Sequence, residues 1–236
     1  MSSLRILMYH KVSRNTQDFL TVSAAQLEKQ LRYIKKRYNI ITLAMLNDHI
    51  KQNTPLPENS LLITFDDGFE NNYHVAYPIF SKLKIPFAIF LVSDFIAKTL
   101  PFDGKNQSFM NANQLSEMKD LVQFGLHSSE HQNINDLAVS SWFSEIDSCK
   151  KKLLDLGIVC LPIWAYTYGQ FPKKNKKNFA MLKDIFKQTG VVGALRIGNR
   201  INRLPLKNVF QINRIDIRGN QSFFRFMLKV MFGKIF

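Results

Sequence analysis

Leu61-Leu62-Ile63-Thr64-Phe65-Asp66-Asp67-Gly68 is the stretch on which the reading of the whole chain turns. Its first five residues form an apolar, β-prone run of strand length, and the run stops at two carboxylates and a glycine. Polar chemistry therefore begins where a buried strand ends. Working outward, residues 4–9 form a second apolar run that ends in Tyr9-His10. Behind Ser23, a candidate N-cap, Leu27, Leu31, Ile34 and Tyr38 recur at helical spacing, and a further helix is expected over 43–52. Downstream the pattern predicts a helix over 70–83, a strand over 87–92, a helix over 113–122, a strand over 124–126, a helix over 139–156 and a strand over 161–165. A lysine-rich loop, a helix over 176–188 and strands near 191–195 and 209–217 follow. Such alternation predicts an α/β fold of parallel strands joined by right-handed crossovers, as an open sheet or a barrel, with ligand sites at the carboxyl ends of the strands. Three of those ends carry Asp66-Asp67, His127 and the segment from Tyr166 to Gly169.

The 236 residues fit one large domain, and a 46% hydrophobic content with twenty Phe supplies a core and excludes a disordered chain. Lys and Arg outnumber Asp and Glu by 32 to 18, and the net charge of +14 favours polyanions or an anionic membrane face. The clusters Lys35-Lys36-Arg37, Lys150-Lys151-Lys152 and Lys173 to Lys177 read first as solvated helix faces and loops. No nucleic-acid-binding module is recognisable, so no nucleic-acid partner is expected. Cys149 and Cys160 are too few for a disulfide framework, which fits a reducing compartment. The N-terminus reads as a first strand and not as a signal peptide, and no apolar stretch approaches the ~20 residues of a bilayer span. A cytoplasmic chain is expected, with any membrane contact peripheral and at the inner face. Residues 1–220 are expected to form one domain. Residues 221–236 interleave bulky apolar side chains with Arg225, Lys229 and Lys234 and contain no acidic residue. They read either as an interfacial amphipathic helix or as a terminal helix packed on the domain.

Two adjacent carboxylates repel when both are charged, which is tolerable if a cation neutralises one while the other exchanges a proton. Alone, Asp66-Asp67-Gly68 would read as a solvated turn. It is joined by Gly125-Leu-His127-Ser-Ser-Glu-His131, in which two imidazoles four residues apart on a helical turn can reach one ion. Two His and one carboxylate leave positions open for water and substrate, as a hydrolytic metal requires. The metalloprotease pattern is excluded, because Ser128 stands where that signature places Glu directly after the first His.

Thr64-Phe-Asp-Asp-Gly68 and His127-Ser-Ser-Glu-His131 together resemble the first two motifs of the polysaccharide deacetylases, the NodB-homology group or carbohydrate esterase family 4. Tyr9-His10-Lys-Val12 and Trp164-Ala-Tyr-Thr-Tyr-Gly169 are similar to the subgroup acting on poly-N-acetylglucosamine. The resemblance implies a distorted, incomplete (β/α) barrel, with Asp66 as catalytic base and Asp67, His127 and His131 as ligands of a divalent metal, zinc first among zinc, cobalt, nickel and iron. It also implies an oxyanion contact from the Tyr168 backbone N–H, with Tyr166 and Arg214 on the substrate side. Arg214 is alternatively an orienting group for Asp66 or a structural ion pair. The family's late-motif His, its usual general acid, has no counterpart here, since the last His is His131. His10 is the expected substitute, or else a His held within the first strand's turn. Thr167 replaces the subgroup's usual Pro, and Ala165 replaces an Arg found in many relatives' third motif. The expected activity is N-deacetylation of an N-acetylated sugar, lipid-linked or otherwise part of a cell-envelope precursor. The competing reading is a catalytically silent sugar-binding relative.

Overall fold

The computed structural model describes residues 2–15, 18–102 and 104–233. In chain order the elements are β1 (Ser3–Tyr9), β2 (Lys11–Ser13), β3 (Thr21–Ser23), α1 (Ala24–Lys35), β4 (Asn39–Ile40), α2 (Leu43–Gln52), β5 (Ser60–Asp67), α3 (Tyr77–Leu83), β6 (Phe87–Leu91) and β7 (Thr99–Phe102). They continue with β8 (Lys105–Ser108), α4 (Ala112–Met118), β9 (Val122–Leu126), α5 (Trp142–Asp155), β10 (Cys160–Ala165), α6 (Lys176–Gln188), β11 (Gly193–Ile197), β12 (Asn202–Arg203), β13 (Ile212–Asp216) and α7 (Phe223–Phe232). Seven parallel strands run in the order β1-β13-β11-β10-β9-β6-β5, and β5 returns to β1 over six residue pairs, Leu4↔Ser60 to Tyr9↔Phe65. The expected barrel is thus closed, around seven strands.

Closure follows from the period of two along each strand. Leu4 and Ile6 of β1, Leu62 of β5, Phe90 of β6, Ile163 of β10 and Leu195 of β11 fill the interior, which Leu43 and Leu46 of α2 close at one end. The alternate residues, among them Leu7, Tyr9, Ile63, Phe65 and Trp164, face outward beneath the helices. At the seam between the first and last barrel strands only Leu7↔Ile215 and Met8↔Asp216 pair directly. Lower down, β12 pairs antiparallel with β1, and the Asn202 side chain donates to the Leu4 and Asn213 carbonyls while accepting from the Asn213 N–H. A side-chain amide there does the work of missing ladder bonds.

The helix expected over 70–83 begins instead as a π-helical turn, Asn72–Ala76, ahead of Pro78, which has no N–H to give a regular turn. The helix expected over 113–122 stops at Met118 because its capping box on Asn111 starts it early and β9 already begins at Val122. The hairpin β7–β8 and the short strands β2, β3, β4 and β12 carry no apolar period long enough to predict. The tail forms α7 within the expected 221–236, of which 234–236, including Lys234, lie outside the described residues. Among the described residues no helix is long and apolar enough to cross a membrane.

Candidate active site

β5 is buried along its whole length and delivers two carboxylates to the mouth of the barrel, Asp66 at 2% and Asp67 at 1% exposure. Neighbours on a strand point to opposite faces. Here Asp67 itself turns left-handed (φ 73°), as does Gly68 (φ 79°), so the chain swings one residue earlier than a turn at Gly68 would allow and both carboxylates share a pocket. His127 follows β9, and its backbone N–H donates to the Leu91 carbonyl at 2.9 Å.

The helical turn expected for His127 and His131 does not form. Residues 127–131 run as a loop in which Ser128 (φ 77°) and His131 (φ 59°) are both left-handed, and this folding brings the two ring centroids to 5.2 Å. Three contacts fix the loop. Ser93 and Asp94 donate their N–H groups to the Ser128 and Ser129 carbonyls, and the Ser129 N–H donates to Glu145 Oε1 at 2.6 Å. Glu145, in the first turn of α5, carries no sequence signal for this role, since a glutamate near a helix start reads as dipole compensation.

His127 Nδ1 lies 2.8 Å from the Ala165 carbonyl, an acceptor, so that nitrogen carries a proton. Burial favours the neutral ring, but Asp66 and Asp67 outweigh it and hold the imidazole above its usual range, so Nε2 either keeps a proton toward Asp67 or gives its lone pair to a cation. Nε2 is 3.3 Å from Asp67 Oδ1, and His131 Nε2 is 3.1 Å from the same oxygen. Both Asp67 oxygens are buried without a hydrogen-bond donor. Bare lone pairs facing a carboxylate at these distances would repel, so a proton or a metal cation must lie between them. The three donor atoms lie within 4.8 Å of one another. Two imidazoles and one carboxylate, with the backbone carbonyl behind His127 orienting its ring, fit a divalent metal of the zinc, cobalt, nickel or iron group.

Asp66 stands beside this cluster, its Oδ2 3.8 Å from His127 Nε2 and its Oδ1 2.6 Å from Arg214 Nη1. Burial alone would push its carboxyl up, but the Arg214 guanidinium, then His127 and His10, outweigh it and hold Asp66 below the usual carboxylate range. Burial likewise works against Asp67, and the His127 and His131 imidazoles turned toward it prevail, leaving it well below that range. His10 stands near enough to contribute to the lowering of both carboxylates, and its Nδ1 is buried without a partner.

Tyr166 and Arg214, expected on the substrate side, are both buried, and Arg214 takes the alternative place named for it, beside Asp66. Arg214 is 0% exposed inside the barrel, facing Asp66 and the Phe90 ring. Tyr166 is buried in the outer core, stacked on Phe171, with its hydroxyl donating to the Phe210 carbonyl. Neither side chain reaches the pocket mouth. Tyr168 does: at φ 55°, ψ 11° it projects its ring, 60% exposed, to 4.8 Å from His131. Phe102 and Phe95 complete an aromatic rim around His131, at 5.5 and 6.1 Å between ring centroids. Phe102 comes from the β7 hairpin, for which Asp103-Gly104 is the available turn signal in the sequence, and Phe95 from the turn that follows β6.

A closed parallel barrel with polar donors gathered at the carboxyl ends of its strands places the chain among the α/β barrels that carry their chemistry at that face. More narrowly, residues 53–183 match the family model of the polysaccharide deacetylases, and the chain belongs to that family. YxkH of Bacillus subtilis, named for polysaccharide deacetylation, is 26% identical over 181 residues, 75% of this chain and 60% of its own length. A poly-β-1,6-N-acetyl-D-glucosamine N-deacetylase of Staphylococcus aureus is 30% identical over 109 residues, 45% of this chain and 34% of its own. The chain thus spans less than two thirds of the length of these relatives. In fold it is similar to IcaB from Ammonifex degensii (TM-score 0.79, 20% identity, 100% of this chain and 98% of that one). It is also similar to the deacetylase PplD of Streptococcus pyogenes, solved with acetate (TM-score 0.77, 19% identity, 97% and 98%).

Proposed function

We propose that the chain is a metal-dependent N-deacetylase that hydrolyses the acetamide of an N-acetylated sugar in a cell-envelope glycan or its lipid-linked precursor. The observation that carries this reading is the pairing of a three-donor cluster on Asp67 with a second buried carboxylate, Asp66, kept ionised by Arg214. Asp67, His127 and His131 would hold a divalent metal, which when bound supplies Lewis acidity toward the acetamide carbonyl and makes water a better acid. Arg214 occupies Oδ1 of Asp66 and leaves Oδ2 for proton transfer. Asp66 takes one proton as the water oxygen bonds the acyl carbon. The tetrahedral oxyanion then faces the Tyr168 backbone N–H. The C–N bond breaks as the amine nitrogen gains a proton from Asp66 or from His10, releasing acetate and the free amine. The exposed Tyr168 ring and the half-buried Phe102 and Phe95 rings offer a sugar apolar faces to lie against.

The test is acetate release from free and lipid-linked N-acetylhexosamines by purified protein with added divalent metal, wild type against Asp66→Asn. Release that the variant loses by on the order of 10²–10⁴-fold, with bound metal unchanged, supports the assignment. Bound metal without turnover on any substrate would favour the silent sugar-binding relative. His10→Ala separates the two proton donors: unchanged turnover leaves Asp66 as the sole one.

A further inference from the structure

Between β11 and β13 the chain makes no crossover helix, only a loop over 198–211 that contains β12. Beside that loop a cleft of ≈ 1160 Å³ opens, with Phe232 of α7 on its wall. Arg5, Arg196, Arg200, Arg203 and Lys207 line it, and no acidic residue does. Arg5 and Arg196 are built into the fold, donating through Nε to the Val230 carbonyl at 2.7 Å and to Asn213 Oδ1 at 2.9 Å. Arg200, Arg203 and Lys207 are exposed, and among the described residues none of them forms an ion pair. Burial and the adjacent Arg200 guanidinium hold Arg196 below the usual guanidinium range, as expected where like charges crowd. An anion in this cleft would relieve that crowding.

α7 adds a second, independent observation. One of its sides packs inward through Phe226 and Val230, flanked by Phe223 and Met227, with Tyr33 edge-on to Phe223 and Phe226. A second apolar stripe, Phe224, Leu228, Met231 and Phe232 at i, i+4, i+7 and i+8, lies on another side of the helix. Phe224 is 65%, Met231 43% and Phe232 66% exposed. The helix carries Arg225 and Lys229 and no acidic residue. The stripe meets the cleft at Phe232, so apolar and cationic surface are continuous.

We infer that the cleft and the outer stripe of α7 together dock the chain on an anionic lipid surface. Headgroup phosphates meet Arg200, Arg203 and Lys207, while Phe224, Met231 and Phe232 enter the acyl boundary. A soluble anion or a nucleic acid would satisfy the cations and leave the stripe in water; a lipid surface satisfies both. The inference does not rest on the deacetylase reading, and its test uses no turnover.

Co-sedimentation of the full chain with phosphatidylcholine vesicles, with and without phosphatidylglycerol, tests it. Wild type should bind only the anionic vesicles, with affinity falling as salt rises. Arg200→Glu, Arg203→Glu and Lys207→Glu combined should lower partition at least about tenfold, as should Phe224→Ser, Met231→Ser and Phe232→Ser combined. Arg200→Lys with Arg203→Lys should retain it, and circular dichroism verifies that each variant is folded. Equal binding to neutral vesicles would overturn the inference, as would unchanged partition of either folded triple variant. So would duplex DNA binding that the serine variant keeps while no vesicle is bound.

Discussion

Asp66 and Asp67 are neighbours of identical chemistry, and two features separate them: the left-handed backbone at Asp67, which tips it toward the imidazoles, and Arg214, which engages Asp66 alone. That two adjacent Asp at a strand end do chemistry was legible in the sequence. Which one faces the imidazoles depends on a φ angle and on a guanidinium 148 residues away, and neither has a local signal. Arg214→Met tests the pairing. It leaves a buried carboxylate without its partner, and burial then pushes the Asp66 carboxyl up. The expected loss of stability is about 3–5 kcal/mol, read as a lower urea midpoint at unchanged slope. A loss under about 1 kcal/mol would mean the pair contributes nothing the interior cannot replace.

The helices at 43–52 and 176–188 fall where the periodicity places them, because each presents one apolar face to the barrel and begins at a side-chain cap, Thr42 and Asn175. What periodicity missed is the loops. Spacing alone predicts a helical turn over His127 to His131, yet the geometry of that segment is imposed by Ser93, Asp94 and Glu145 from two other elements. The rim hairpin was missed for the same reason, since its aromatic side chains serve the site more than a core. β9 shows how an element transmits such constraints. A Cβ on Gly125 would sit 2.4 Å from Phe90 Cε1 and 3.2 Å from the Ile163 carbonyl, so the strand can approach its neighbours only without a side chain there. Gly125→Ala is expected to cost about 1–3 kcal/mol by overpacking. Because His127 lies two residues further on, its affinity for zinc, read by competition with a chromogenic chelator, should fall with it. Reduced stability with unchanged zinc affinity would show that the loop contacts, and not the strand, set the position of His127.

For the molecule as a whole, a bound metal would join β5 to the loop after β9 across the mouth of the barrel. A ligand that binds only the folded state at about a hundred times its Kd adds roughly 2.7 kcal/mol, which for a chain of this size raises Tm by on the order of 5–10 °C. Calorimetry of the metal-loaded chain before and after a chelator measures this; coincident melts would mean that the Asp67 cluster holds no metal under those conditions. The last barrel strand has a different kind of consequence. Asp66 leaves the ribosome long before Arg214, and the seam between β1 and β13 cannot form until β13 is made. Until then the half-built barrel lacks both its closing strand and the guanidinium that partners Asp66 at its mouth. The salt bridge that positions the carboxylate thus doubles as a completeness check, since a chain cut short before residue 214 can bury Asp66 only by protonating it or at the cost of an unpaired charge.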